Sequence, residues 1–450
     1  MKTRLLGGAL LVLLLVVPVV RAGMLEENVI RSDWFSLGGD LRVRQVGMDN
    51  IITWDSDNKA DQQNFFRVRS RLFLQGISPE GCFLSGLKAY VRFTNEWRGY
   101  IKPSNRVHPL RDEIILDNAY LAYEDESLGV SVKLGRQDLI YGEGFLILDG
   151  TTLDGSRTIF SDGGKISLAL GEKTGVDLLA FYNTGKQWFA IHRNTEPLSA
   201  VDPGGRLDSQ EIGLFGAYLT DESLLEKQKI EAYYLFKYGE VSPVSPDLFP
   251  QNQISVIGAR FSGKLTDLLG YAAEATAQLG SYGGEPQQAF GGYAHATYRL
   301  AADCCCPLDF TLGAVYLSGD DPDTSNHEGW DPILARWPKW SELYVYSLLP
   351  EKDIAYWSNI QIYQAIAEFS PAERLKVMAA YQYMRANEAG SGTGVFGTGK
   401  ERGHNPQLKV SYAFNDWLNG HVLGEYFIPG NFYAGDDDGF FARWEIMGKF

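Results

Sequence analysis

Phe440-Phe441-Ala442-Arg443-Trp444-Glu445-Ile446-Met447-Gly448-Lys449-Phe450 alternates residue by residue. Phe440, Ala442, Trp444, Ile446 and Gly448 are apolar or small, and Arg443, Glu445 and Lys449 lie among the residues between them. A period of two places successive side chains on opposite faces of a strand, here one apolar and one wet. A chain that closes on such a strand, with an aromatic as its last residue, has the pattern of a bacterial outer-membrane barrel. There the final strand completes the barrel and its aromatic end is read by the barrel-assembly machinery.

The other end of the sequence reads as an export signal. Lys2 and Arg4 form a basic start, Leu5 to Val20 is apolar throughout, and Val20-Arg21-Ala22 offers a small-residue cleavage site before Gly23. The alternative, an uncleaved anchor, fits less well. The run falls short of the ~20 residues that a bilayer-spanning helix needs, and Pro18 interrupts its end. The expected organisation is a signal peptide over 1–22 and one domain over 23–450.

The sequence has no other apolar run long enough to span as a helix, and the mean hydropathy is −0.18. A transmembrane barrel escapes that test because only alternate residues meet lipid. An aromatic content of 13% matches the two girdles such a barrel carries, although a secreted β-sandwich would share it. Net charge is −15, and −18 once Lys2, Arg4 and Arg21 leave with the signal, which argues against nucleic acid as a partner. Cys82 and Cys304-Cys305-Cys306 show no metal or redox spacing. They read as inert turn cysteines or as one bridge from Cys82 to the triplet.

Alternating runs recur along the whole chain. Strands are expected near 34–48, 63–77, 85–98, 113–124, 129–138, 160–170, 174–184, 208–220, 227–238, 253–263, 268–280, 288–300, 308–318, 356–370, 372–386, 404–414, 417–428 and 439–450. Connections after odd-numbered strands are long and polar: 49–62, 99–112, 139–159, 185–207, 239–252, 281–287, 319–355, 387–403 and 429–438. Those after even-numbered strands are mostly short, as at Asp125 to Leu128, Gly171 to Lys173, Pro371 and Asn415-Asp416. Long loops outside and tight turns inside define an all-β, antiparallel transmembrane barrel of about 18 strands in the outer membrane.

Parity sorts the side chains. Arg42 and Arg44 oppose Leu41 and Val43, and Arg67, Arg69 and Arg71 oppose Phe66, Val68 and Leu72. Arg92 and Glu96 likewise oppose Val91 and Phe93. An arginine facing lipid at mid-depth costs ~2–4 kcal/mol, so these side chains must enter the lumen. The same argument places Lys165, Arg260, Arg299, Lys409 and Arg443 inside. A ladder of guanidinium groups makes a path for an anionic polymer or sugar. The structural alternative is pairing of these arginines with Glu96, Glu231, Glu274, Glu425 and Glu445. A barrel of ~18 strands is too wide for side chains alone to fill, which favours a conduit. Lys102, Arg106, His108 and Arg111 mark the loop 99–112 either as an inward basic constriction or as a solvated surface loop.

Other motifs carry no chemistry. Gly394 to Glu401 resembles a phosphate loop, but Glu401 stands where Ser or Thr should hold magnesium, and no helix follows. Asp321, Asp323 and Ser325 lack the glycine and distal glutamate of a calcium loop. No GxSxG elbow is present. The reading is a non-enzymatic protein without a cofactor.

Four segments resemble the alginate-export family of Gram-negative outer-membrane proteins. They are Lys133-Leu-Gly-Arg-Gln-Asp-Leu-Ile-Tyr-Gly142, Leu153-Asp-Gly-Ser-Arg157, Tyr316-Leu-Ser-Gly-Asp-Asp-Pro322 and Glu425-Tyr-Phe-Ile-Pro-Gly-Asn-Phe-Tyr433. The resemblance implies an 18-stranded barrel that exports an anionic polysaccharide through an arginine-lined pore, with Arg136 and Arg157 as polymer contacts. Parity puts Arg136 on the face of Val132 and Leu134, so a bulge at Gly135 or a position above the bilayer is required. The family's long plugging turn before the penultimate strand is reduced here to Asn415-Asp416. The expected partners are anionic polysaccharide or oligosaccharide, outer-membrane lipid and lipopolysaccharide, the assembly machinery and periplasmic synthesis proteins. Alternative readings are an uptake porin for sugar acids or anions, an outer-membrane hydrolase, and an adhesin.

Overall fold

In the computed structural model, residues 30–32, 34–79, 81, 85–106, 114–148, 161–184, 190–192, 210–243, 245–300, 306–336 and 338–450 are described. The expected signal peptide, Arg157, His108, Arg111, Cys82, Cys304 and Cys305 lie outside them.

Eighteen antiparallel strands close into one barrel. They are β1 (Phe35–Asp49), β2 (Gln63–Ile77), β3 (Lys88–Lys102), β4 (Ile114–Asp125), β5 (Val130–Gln137), β6 (Ser161–Ala169), β7 (Thr174–Asn183), β8 (Ile212–Asp221) and β9 (Gln228–Gly239). The second half comprises β10 (Asn252–Lys264), β11 (Leu269–Tyr282), β12 (Glu285–Leu300), β13 (Leu308–Leu317), β14 (Ile360–Ala372), β15 (Leu375–Arg385), β16 (Glu401–Ala413), β17 (Leu418–Pro429) and β18 (Gly439–Lys449). Each strand pairs with its chain neighbours, and β18 pairs with β1 from Asp40↔Lys449 to Asp49↔Phe440, so no edge is left open. Two short strands are added. Ile30–Ser32 folds back on β1, and Ala190–His192 meets the start of β4.

Alternation sets what each face meets. Leu72, Leu74, Leu121, Leu134, Ile257, Leu312, Leu408, Val422 and Ile446 point outward and are exposed. They form the apolar band that lipid covers. Tyr182, Tyr316, Tyr363, Tyr381, Tyr426 and Phe440 flank it near one rim, and Tyr298, Phe369, Tyr412, Phe414 and Trp417 near the other. These are the two aromatic girdles.

Two expectations are corrected. The connection 281–287 is not a long loop: β11 and β12 run on to Tyr282 and Glu285. Gly283 and Gly284 make the turn at φ 61° and 94°. Positive φ at both central residues is what a tight hairpin turn needs, and glycine supplies it without a Cβ penalty. The connection 319–355 is long but not simply polar. Trp330, Ile333, Leu334, Leu343, Tyr344, Val345 and Leu348 within it are buried in the barrel interior.

The topology has a direct check in a cysteine-free background. A cysteine at Ser391, in the β15–β16 loop, should react with an impermeant maleimide on intact cells, and one at Asp416, in the β16–β17 turn, should not. Equal labelling at both positions would reverse or dissolve the assigned orientation.

Candidate functional site

The lumen is built from the inward positions of the strands, and cross-strand register stacks them in rows. Glu445, Arg44, Arg67 and Arg98 lie side by side on β18, β1, β2 and β3. The next row holds Met447, Arg42, Arg69 and Glu96, and the one beyond it Lys449, Asp40, Arg71 and Thr94. The basic wall therefore has twice as many guanidinium groups as carboxylates. Arg44 lies 3.1 Å and Arg42 3.7 Å from Glu445. Arg67 Nε donates to Glu96 at 2.8 Å, and Asp40 accepts from Arg69 at 2.9 Å and Arg71 at 2.6 Å. Glu445 and Asp40 are each shared by two arginines, so the wall keeps a net positive charge after pairing. Arg443 continues it on β18, 3.0 Å from Glu342.

Arg92 on β3 binds Asp117 and Asp138, each at 2.9 Å. A register shift at Arg92/Phe93 turns both Asp117 and Asn118 of β4 into buried positions. On β5, Gly135 adopts φ 122°, where an added Cβ would meet the Ala119 carbonyl at 2.2 Å. Arg136 beyond it is buried, donates two hydrogen bonds of 2.7 Å to Asp162, and a third to the Leu116 carbonyl. The bulge expected at Gly135 is not formed: pairing with β4 and β6 runs through it without a register shift, and only its positive φ is unusual. Arg299 keeps inward parity at the periplasmic mouth, 53% exposed and bidentate to Asp309.

The facing wall has a different chemistry. Tyr141 donates to Asp177 at 2.6 Å, Tyr218 to Glu231 at 3.0 Å and Tyr233 to Glu274 at 2.7 Å. Tyr141, Tyr218 and Tyr233 pack ring on ring at 4.3 and 5.3 Å. Arg260 is held within this wall by Glu231, Glu143 and Tyr293.

Two loops from the outer side enter the lumen and meet. Residues 138–148, after β5, carry Glu143 to Arg260 and His295, each at 3.0 Å. Residues 318–359, after β13, cross further. Asp331 binds Lys237 of β9 at 2.7 Å with both side chains buried, and its backbone pairs with Gln278 of β11. The Ser341 hydroxyl and the Glu342 and Leu343 amides donate to Glu425 of β17. Glu351 takes a bidentate pair at 2.6 and 2.7 Å from Arg402 of β16, which is 0% exposed. The loops join at an Ile147↔Leu334 bridge, with Leu334 N donating to Leu146 O at 3.0 Å. This partition narrows a lumen that the side chains of an 18-strand barrel alone would leave open.

Electrostatics hold the first loop. Burial alone would raise the Glu143 carboxyl, but hydrogen bonding and charge from His295, with Arg260, outweigh it and bring the value down to about 2. A carboxyl depressed in the folded state contributes stability above its ordinary value of 4.5 and loses it as pH falls toward the folded value. Single-channel conductance should therefore stay constant from neutral pH to roughly pH 4 and change only nearer pH 2. A change already complete by about pH 5 would show that Arg260 and His295 do not hold Glu143. Lys339 behaves oppositely: burial pushes its ammonium down to about 8. Its Nζ has no hydrogen-bond partner among the described residues and lies 4.9 Å from the Tyr293 ring centre.

Parity thus located the inward arginines, and Arg98 was legible by the same rule, sharing a face with Arg92 and Glu96. Lys237 was too, facing inward with Glu231 and Tyr233. Arg402 was not: a register shift at Met384/Arg385 opposite it breaks the alternation that Asn405, Gln407 and Lys409 follow. The loop residues had no periodic signal. Their one trace was the tryptophan density of 330–357, with Trp330, Trp337, Trp340 and Trp357 in a connection.

A closed barrel with a lipid-facing apolar band, two girdles and a charged interior defines an outer-membrane channel. The chain belongs to the alginate-export family, whose model, described as alginate export, matches residues 33–440. Solved structures with similar folds include Acinetobacter baumannii OccAB4, with a TM-score of 0.56 and 10% identity over 93% of this chain and 99% of that one. Pseudomonas aeruginosa OpdO gives 0.58 and 10% over 93% and 97%. The outer membrane protein OprD from Pseudomonas aeruginosa gives 0.54 and 11% over 95% of each. At these identities the likeness is one of fold. No curated protein matches the sequence significantly.

Proposed function

We propose that this channel passes an anionic saccharide, polymeric or oligomeric and of the uronate type, in extended form along the arginine wall. The observation that carries the reading is the three-row stack on β18, β1, β2 and β3, where Arg42, Arg44, Arg67, Arg69, Arg71 and Arg98 share Asp40, Glu96 and Glu445. Arg42, Arg44, Arg67 and Arg69 are buried in these pairs, whereas Arg71 and Arg98 are partly exposed, so a passing carboxylate meets Arg71 and Arg98 first and can exchange with a wall carboxylate there. Closely spaced groups let the chain move from one to the next without a deep trap. Family membership supports a polysaccharide as cargo and export as direction, with synthesis on the periplasmic side supplying the gradient. The contacts then extend to Arg92 and Arg136 on one flank, to Arg443 on β18, and to Arg260 and Arg299 on the facing wall, with Arg157 added by its motif alone. The family's plugging turn is minimal here, four residues from Phe414 to Trp417. The loops from the outer side constrict the lumen in its place.

Flux measures this directly. Proteoliposomes holding the purified channel should release an oligouronate faster than a neutral oligosaccharide of equal length. Equal release of both would leave a non-selective pore.

A further inference from the structure

We infer that the joined segments 138–148 and 329–357 are the size filter of this channel, a fixed partition rather than a swinging lid. The filter confines passage to single, unbranched, extended chains and short oligomers lying against the arginine wall. The inference rests on the saccharide reading above and narrows its substrate class.

A closed barrel of this strand number encloses an aqueous channel unless something crosses it. Here the crossing is extensive. The first segment ties to β7, β8, β10 and β12 through Tyr141–Asp177, Tyr141–Tyr218, Glu143–Arg260 and Glu143–His295. The second ties to β9, β11, β16, β17 and β18 through Lys237, Gln278, Arg402, Glu425 and Arg443. The Ile147↔Leu334 bridge and the packing of Phe145 on Trp330 at 5.3 Å make the two segments one body. The arc from β18 to β3 carries the arginine rows, and the second segment meets its outer end where the Ser347 hydroxyl donates to the Ile51 carbonyl.

Fixity follows from the chemistry of the ties. Lys237–Asp331 and Arg402–Glu351 set their cations in buried positions, and the Glu425 carboxylate is buried against backbone amides. A lid that swung on each transport event would strand these charges each time, and a buried charge without its partner is strongly disfavoured. A fixed partition excludes by width, and a branched or folded polymer is wider than an extended chain.

The test replaces 332–350 by a short Gly-Ser linker and records the channel in planar bilayers. Conductance should rise about two-fold or more, and neutral polyethylene glycols excluded by the native channel should enter. An unchanged cut-off and conductance would overturn the inference. Should the excised chain fail to assemble, Lys237→Met serves, since it leaves every strand pair intact and strips Asp331 of its cation. It should produce frequent excursions to a larger conductance, and a single steady level equal to the native one would overturn the fixed-partition reading. Ion preference in the same records tests the arginine wall separately. Its loss alongside a raised cut-off counts against the saccharide reading and leaves the filter standing.

Discussion

Exchanging Arg67, Arg69 and Arg71 for glutamine is expected to abolish most of the channel's anion preference and to weaken block by polyuronate about tenfold, equivalent to ~1.4 kcal/mol. Opposite charges about 4 Å apart interact by roughly 1–4 kcal/mol between bulk water and a protein-surface dielectric, so three guanidiniums dominate the local field. On the wall they pair with Asp40 and Glu96, and their removal takes away most of the local excess of positive charge. The exchange leaves Asp40 without Arg69 and Arg71, and Glu96 without Arg67. The companion variant therefore adds Asp40→Asn and Glu96→Gln, which removes both stranded carboxylates. Heat-modifiable migration in gels checks that each barrel has closed. Reversal potentials in a salt gradient then read the preference. A triple variant that is closed, still anion-selective and still blocked would make these arginines structural.

Arg402→Met should have the largest effect on the constriction. Arg402 is wholly buried, and its fork spans Glu351, the Tyr344 hydroxyl and the Asn359 carbonyl, over the Phe432 ring at 4.0 Å. Removing one partner of a buried pair costs about 3–5 kcal/mol because the other charge is left uncompensated. The strand ladder around β16 does not depend on the side chain, so the cost falls on the 329–357 segment. Limited proteolysis should cut that segment in the variant and spare it in the native protein. Equal protection in both would place the anchor elsewhere.

Much of this architecture could be read without coordinates because lipid enforces alternation. A strand with Leu and Val on one parity and Arg on the other has one orientation it can adopt, and β2 was bounded to the residue at 63–77. The ends of other strands moved by a few residues where turn geometry decides, as at Gly283-Gly284, whose compact turn reads the same as loop glycine in sequence. The arginines were legible as lumenal, whereas their ion pairs were not. Register between strands distant in sequence, such as Arg44 beside Glu445, depends on barrel closure. The partition was the largest omission. Its residues obey neither period two nor a helical period, and its apolar side chains pack against a lumen that exists only after the barrel closes. Arg402 was hidden for a local reason, since one register shift reversed its face.

The central claim is that the arginine wall selects an anionic saccharide. It is tested most directly by single-channel block of the native protein with an oligouronate and with a neutral oligosaccharide of the same length, at low salt and near 1 M. Screening shortens to about 3 Å at 1 M, so charge recognition should fade there and steric block should not. The account predicts that the oligouronate blocks at far lower concentration, and that high salt brings the two together. Equal block at low salt, or an oligouronate block indifferent to salt, would contradict it.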